Sequence, residues 1–136
     1  MSKVYSLLFL FCLTGCQDES QSDKKAELFG EWVSNKGLTL KSIDATNAPV
    51  PDAIRNSFGQ MAYIFKPKQI TFTSVGSANS QDRWFKWHVL ESTQQYASIE
   101  ISGLGIKTSK IKFKKEYGCL GLQPDGQAFT EYFCKQ

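Results

Sequence analysis

The most regular stretch of the chain runs from Lys107 to Lys115 and reads Lys-Thr-Ser-Lys-Ile-Lys-Phe-Lys-Lys. Side chains of a β-strand alternate between two faces, so Ile111 and Phe113 fall on one face and Lys110, Lys112 and Lys114 on the other. The pattern predicts a half-buried strand with an apolar inner face and a basic outer face.

The same period of two recurs along most of the chain and predicts a protein made of short strands. The other predicted strands are Gly30–Ser34, Gly37–Ile43, Met61–Lys66, Gln69–Val75, Arg83–Glu91, Tyr96–Ser102, Tyr117–Leu122 and Gln127–Cys134. One short helix is predicted to start at Pro51 or Asp52 and to end at Gly59, because proline suits a first helical turn and glycine a last one. Eight or nine closely spaced strands predict an all-β fold, as an antiparallel barrel or sandwich. A small barrel of about eight strands is preferred, since closure leaves no exposed edges.

The N-terminus has the layout of a secretory signal peptide. Lys3 is followed by the almost wholly apolar segment Val4–Leu13 and by the small-residue site Leu13-Thr14-Gly15-Cys16. These last four residues resemble the lipobox of bacterial lipoproteins. The resemblance implies that residues 1–15 are removed and that Cys16 is acylated with a diacylglycerol and, usually, a third chain. A plain signal peptide cleaved elsewhere is one alternative. An uncleaved anchor is another, although ten helical residues rise only about 15 Å, half of a hydrocarbon core.

The lipoprotein resemblance also implies a location and a domain layout. The protein is expected in the cell envelope, anchored to a membrane through Cys16. In Gram-negative lipoproteins an Asp after this cysteine favours the inner membrane, so Gln17 favours the outer membrane facing the periplasm. Residues 16–27 are predicted to be the lipidated cysteine and a flexible tether, because Ala26 is the only apolar residue of Gln17–Glu27. Residues 28–136 are predicted to form one β-barrel domain.

Two cysteines remain in the body once Cys12 and Cys16 are accounted for. In an exported domain Cys119 and Cys134 are most simply a disulfide. They flank Pro124-Asp125-Gly126, a hairpin signal, and lie directly opposite each other if the hairpin is centred between residues 126 and 127. A centre one residue earlier makes them diagonal or requires a bulge. A redox or metal pair is the alternative, but neither C-x-x-C spacing nor a histidine cluster accompanies them.

The composition gives little material for catalysis. The formal net charge is +3, or +2 after loss of the Lys3 segment, which is too small to indicate nucleic acid binding. His88 is the one histidine, the acids are scattered, and no nucleophile-elbow, zinc-protease, phosphate-loop or dinucleotide motif occurs. We therefore expect a protein that binds and is not an enzyme, with no cofactor and no metal.

Two basic groups of residues are the candidates for binding a protein partner. The first is the row Lys107, Lys110, Lys112 and Lys114, continued by Lys115; the second is Arg83, Trp84 and Lys86, next to His88. Either group is equally typical of a solvated strand face, where lysine discourages edge pairing. As binding surfaces they fit an acidic protein, anionic lipid or an acidic polymer. A protein partner is preferred, which makes the chain an inhibitor, an immunity protein or an assembly accessory.

Gly30-Glu31-Trp32 supports a different interpretation. A Gly-x-Trp at the start of the first strand resembles the entry motif of lipocalin-like barrels, in which the tryptophan closes one end of the barrel. The resemblance implies a carrier of a small apolar ligand, and it requires a cavity of about 300 Å³ or more. An unrecognised envelope hydrolase is the third hypothesis. It requires several acids, or His88 with a partner, in one cleft.

Overall fold

The protein is a closed barrel of eight antiparallel strands in which each strand pairs with its neighbours in the chain and the last pairs with the first. The computed structural model describes residues 18–75, 83–103 and 105–136. The strands are β1 Gly30–Ser34, β2 Met61–Phe65, β3 Gln69–Ser74, β4 Arg83–Ser92, β5 Tyr96–Gly103, β6 Ile106–Glu116, β7 Cys119–Leu122 and β8 Glu131–Lys135. The helices are α1 Asp18–Ala26, α2 Lys36–Thr46 and α3 Asp52–Ser57. The predicted small antiparallel barrel is confirmed.

No helix in the described part of the chain is long and apolar enough to cross a membrane.

Apolar side chains fill the barrel interior, as the alternation along the strands predicts. Phe113 is fully buried, and Trp87 of β4 and Ile99 of β5 belong to the same cluster. The Tyr63 ring lies 4.8 Å from that of Phe133. Such offset and edge-on ring contacts stabilise the core beyond the area that they bury.

One end of the barrel, where β1 begins and β2 ends, is closed by the segment after α1. We call this end the base. Leu28 is buried there, and Trp32 Nε1 donates a hydrogen bond of 2.8 Å to its carbonyl oxygen. Lys25 Nζ donates to the Trp87 carbonyl at 3.2 Å and lies 4.5 Å from the centre of the indole ring. Burial at this contact lowers the pKa of Lys25.

The segment expected to be a flexible tether, residues 16–27, contains helix α1. Polar contacts of Lys25 and Glu27 join the C-terminal end of this segment to the base. Lys115 Nζ donates to Glu27 Oε2 at 3.0 Å, to Ser92 Oγ at 2.8 Å and to the Thr93 carbonyl at 2.7 Å. Helix α1 thus occupies Asp18–Ala26 of the predicted tether, and an ion-paired clamp at Glu27 holds the chain that follows it.

The prediction of a strand at Gly37–Ile43 was wrong, since these residues belong to α2. Asn35 caps the helix, its Oδ1 accepting from the Leu38 amide at 3.0 Å, and Asn47 ends it with a left-handed φ of 49°. Thr39 and Ile43, four residues apart, form the buried face. The apparent alternation of leucines hid this helical spacing.

The predicted helix at Pro51 or Asp52 to Gly59 is confirmed as α3. Around it lies a second apolar cluster of Ile43, Phe58 and Phe129, with the two phenylalanine rings 5.8 Å apart. Thr39 Oγ1 accepts from the Tyr132 amide at 3.1 Å and so fixes α2 to β8.

The last two strands confirm the predicted pairing but not the predicted strand lengths. Cys119 and Cys134 lie directly opposite each other with Cα atoms 4.3 Å apart and form a disulfide. β7 starts only at Cys119, because Tyr117 and Gly118 form the preceding turn with φ of 56° and 69°. β8 starts at Glu131 and not at Gln127, so residues 123–130 form a loop. We call this segment the β7–β8 loop.

Candidate binding groove between β6 and the β7–β8 loop

The barrel wall is open where β6 extends beyond the end of β7. The two strands pair only from Lys114–Gly121 to Glu116–Cys119. β6 extends back to Ile106, whereas β7 ends at Leu122. Beyond Lys114, no other strand in the described ranges pairs with β6 on this side.

Proline chemistry and local hydrogen bonds explain why β7 stops. Pro124 has no N–H, and in the register of β7 this group would point to β8, so Pro124 cannot extend the β7–β8 ladder. Its carbonyl accepts from the Gln127 amide at 3.0 Å, and Gln123 Nε2 donates to the Gln127 carbonyl at 2.7 Å. The β7–β8 loop therefore forms hydrogen bonds within itself and, in the described part of the chain, none to β6.

The resulting groove has a volume of about 860 Å³. This lies in the range of about 300–1,000 Å³ typical of ligand sites. Its lining comprises Gln95, Tyr96, Ser109, Lys110, Ile111, Lys112, Lys114, Gly121, Leu122, Gln123, Pro124, Asp125 and Thr130. Ile111 and Leu122 are half-buried against the main core and form the apolar part of this lining.

The groove is basic, with three lysines and one acid, Asp125, in its lining. Lys114 Nζ lies 3.1 Å from Glu116 Oε2. Lys112 Nζ lies 4.1 Å from the centre of the Tyr96 ring, at the distance of a cation–π contact. Among the described residues neither Lys110 nor Lys112 forms an ion pair, although Glu100 stands directly opposite Lys110 in the β5–β6 ladder, so the groove carries an excess of positive charge.

Neighbouring carboxylates and phenols are held by hydrogen bonds at the edge of the groove. Tyr132 Oη donates to Glu116 Oε2 at 2.7 Å. This bond, with the one from Lys114, lowers the pKa of Glu116, while burial and the same carboxylate raise the pKa of Tyr132 to about 12. A hydrogen bond to Glu91 raises the pKa of Tyr96.

A glycine lets the Tyr132 ring lie flat against β7. A Cβ on Gly121 would stand 2.8 Å from Thr130 Cγ2, closer than Cβ atoms approach in folded proteins, and 3.1 Å from Tyr132 Cε1, closer than most such contacts. Tyr132 and Thr130 thus pack over Gly121 and fix the wall of the groove opposite β6.

The structure separates the two predicted groups of binding residues. Lys110, Lys112 and Lys114 line the groove, as their common face predicts. Lys107 does not line it but lies on the exposed end of β6, and Lys115 turns to the base.

Arg83, Trp84 and Lys86 lie on β4, two strands away from β6, and take no part in the groove lining. Trp84 stands opposite Thr71 of β3 and is 49% exposed, which agrees with its expected outward position. The structure therefore does not join this group to the lysines of β6.

His88 has an acidic partner but no cleft. Its Nε2 lies 3.4 Å from Glu100 Oε1, and its side chain is 59% exposed on the outer wall. In the described part of the chain no three histidine, cysteine, aspartate or glutamate residues cluster as metal ligands do. Cys16, the predicted lipidation site, lies outside the described residues.

Sequence reasoning missed the wall of the groove opposite β6. The sequence predicts a hairpin turn at Pro124-Asp125-Gly126 and a strand from Gln127, whereas in the structure Gln123, Pro124, Asp125 and Thr130 line the groove. The available signal was Pro124 itself, because a residue without an N–H ends a central ladder.

Comparisons of the chain with protein-family models, curated protein sequences and solved structures find no match.

Proposed function

We propose that this protein is a non-catalytic binding module, anchored in the cell envelope through acylated Cys16, that binds and inhibits or assists a protein partner. The observation that carries the proposal is the open groove of about 860 Å³ along β6, lined by Lys110, Lys112 and Lys114. An excess of cations attracts an acidic partner and sets its orientation. The partner is therefore an envelope protein that presents an acidic surface.

The position of α1 supports this arrangement. α1 starts at Asp18, two residues after Cys16, and joins the barrel at its base. The groove runs along β6 from Gln95 and Tyr96, next to the β4–β5 turn at the base, to the β7–β8 loop. Nine helical residues rise about 14 Å, so a lipid at Cys16 holds the base close to the membrane.

The alternative of a lipocalin-like carrier receives less support. A carrier needs its space inside the barrel, and the rings of Tyr63, Phe65, Trp87 and Phe113 are in mutual contact there, with centres 5.1–6.3 Å apart. The 860 Å³ groove lies at the barrel wall and is open to charged residues. An apolar small molecule fits such a lining poorly, whereas a protein segment fits it well.

The experiment is copurification of the full chain from solubilised envelopes in three forms. Wild type is compared with Lys110→Gln/Lys112→Gln/Lys114→Gln and with a control that loses the same charge elsewhere, Lys41→Gln/Lys66→Gln/Lys68→Gln. The control lysines are all exposed and outside the groove. We expect a specific acidic protein with wild type and control, lost with the groove variant and weakened by salt. Equal recovery with both variants would reject the groove as the binding surface.

The anchor has its own test. The variant Cys16→Ala should leave the membrane fraction, and the N-terminal peptide of wild type should carry the mass of the acyl chains. An unmodified Cys16 in envelope-purified protein would remove the lipoprotein part of the proposal while leaving the groove untouched.

A further inference from the structure

The free edge of β6 has the features of a strand-addition site. Lys115 donates its amide to the Gln95 carbonyl at 2.7 Å, which places the backbone groups of the odd-numbered residues towards β5. Backbone groups alternate in direction along an antiparallel strand. The amides and carbonyls of Lys110 and Lys112 therefore point away from β5, into the groove.

No partner for these backbone groups exists within the described ranges. β7 bonds β6 only as far as Lys114, and the hydrogen bonds of the β7–β8 loop run within the loop or, from the Thr130 amide, to Ser42 Oγ of α2. The regular β5–β6 ladder continues from Lys114 to Ser109, where the register shifts between Ile101 and Gly103. A regular edge of four residues, Ser109–Lys112, is thus available, about 14 Å long. An added strand satisfies such groups by continuing the ladder.

The two faces of this edge prescribe the side chains of the added strand. The side chains of Lys110 and Lys112, and of Lys114 further along β6, lie on the outer face of the barrel. Ile111 and Leu122 lie on the inner face, against the core. Directly opposed residues of paired strands share a face, and opposite charges on that face stabilise the pair. The complementary segment therefore alternates acidic residues, facing outward, with apolar residues, facing inward.

We infer that the groove binds an extended peptide segment of alternating acidic and apolar residues. The segment adds to β6 as an antiparallel strand, next to the part of β6 that β7 does not pair with. This inference rests on the proposed function and specifies what the partner presents. The lysines select the segment by charge, while the edge of β6 supplies the hydrogen bonds. The antiparallel direction follows β7, whose ladder with β6 the segment continues.

The test uses the full chain in detergent micelles and a capped heptapeptide of alternating glutamate and valine. Amide exchange is followed residue by residue by NMR. We expect the amides of Lys110 and Lys112 to become protected when the peptide binds, while that of Ile111, directed to β5, changes little. A composition-matched peptide with its glutamates grouped together is the control.

N-methylation separates strand pairing from charge attraction without altering the protein. In an antiparallel pair the glutamates oppose Lys110 and Lys112, so their amides bond to β6 and those of the valines point away. A peptide N-methylated at the glutamates should bind at least about tenfold more weakly, and one N-methylated at the valines should bind as before. The groove variant Lys110→Gln/Lys112→Gln/Lys114→Gln should also lose about tenfold.

Binding that ignores both N-methylations, or that leaves the two edge amides unprotected, would overturn strand addition. If the groove variant nevertheless loses its envelope partner, the proposed function stands and only the mode of recognition is wrong. If the peptide protects the edge but the groove variant retains its envelope partner, strand addition stands and the proposed binding surface fails.

Discussion

The disulfide between Cys119 and Cys134 should contribute a large part of the stability of this small domain. It closes a loop of 15 residues, including the β7–β8 loop, whose backbone bonds to no strand in the described part of the chain. The chain-entropy model gives about 3 kcal/mol for a closed loop of this length. With an unfolding entropy of about 2.1 cal/mol/K per residue in a body of about 110 residues, this corresponds to about 13 °C in Tm.

The assay is calorimetry of the protein with and without a thiol reductant. Reduction keeps both sulfur atoms and therefore isolates the loop constraint from any cavity that Cys→Ala substitutions create. The double variant Cys119→Ala/Cys134→Ala should fall at least as far as the reduced protein and should no longer respond to reductant. Non-reducing peptide mapping must first show the two cysteines joined. Free thiols in envelope-purified protein, or a Tm insensitive to reduction, would refute the reasoning.

Three further perturbations test the packing around the groove and the base. Burial raises the pKa of Glu131 against the hydrogen bond from Ser34, so stability should fall as pH rises from the unfolded pKa of about 4.3 through the folded value. In urea titrations at several pH values, Glu131→Gln should weaken the pH dependence of the free energy of unfolding. A pH dependence equal to that of wild type would contradict this role of Glu131. Gly121→Ala should cost about 1–3 kcal/mol through overpacking, and a urea midpoint equal to wild type would refute the contact distances. Lys115→Met should lower the free energy of unfolding by a similar ~1–3 kcal/mol. It should also speed amide exchange in α1, because the contact between Lys115 and Glu27 no longer holds the C-terminal end of this helix. Unchanged exchange would refute this role of Lys115.

The barrel itself could be predicted because its strands are half-buried. In β4 the predicted period of two is observed, since Trp87 and Val89 are buried in the core and Trp84 is exposed. Alternation along β6 likewise separated Phe113 from the three lysines of the groove. In both strands one face packs on the core and the other is exposed to solvent, so apolar and polar residues alternate clearly along the sequence.

The helices and the open wall could not be predicted from that pattern. The buried face of α2 contains Thr39, a polar residue whose hydroxyl accepts a hydrogen bond from the Tyr132 amide of β8. The sequence of α2 therefore lacks the apolar period that predicts a helix. α1 is held by Lys25 and Lys115, and such polar contacts leave no hydrophobic period. The groove arises from a difference in length between β6 and β7, which depends on where Pro124 falls relative to the partner strand.

The most direct test of the central claim is site-specific photo-crosslinking in living cells. A photoreactive amino acid is placed at Lys112, inside the groove, and separately at Lys41 on the exposed face of α2. We predict a discrete adduct from position 112 only, with the crosslink on an acidic segment of one envelope protein. Adducts of equal yield from both positions, or none from position 112 while the protein is at its normal level, would contradict a binding function for the groove.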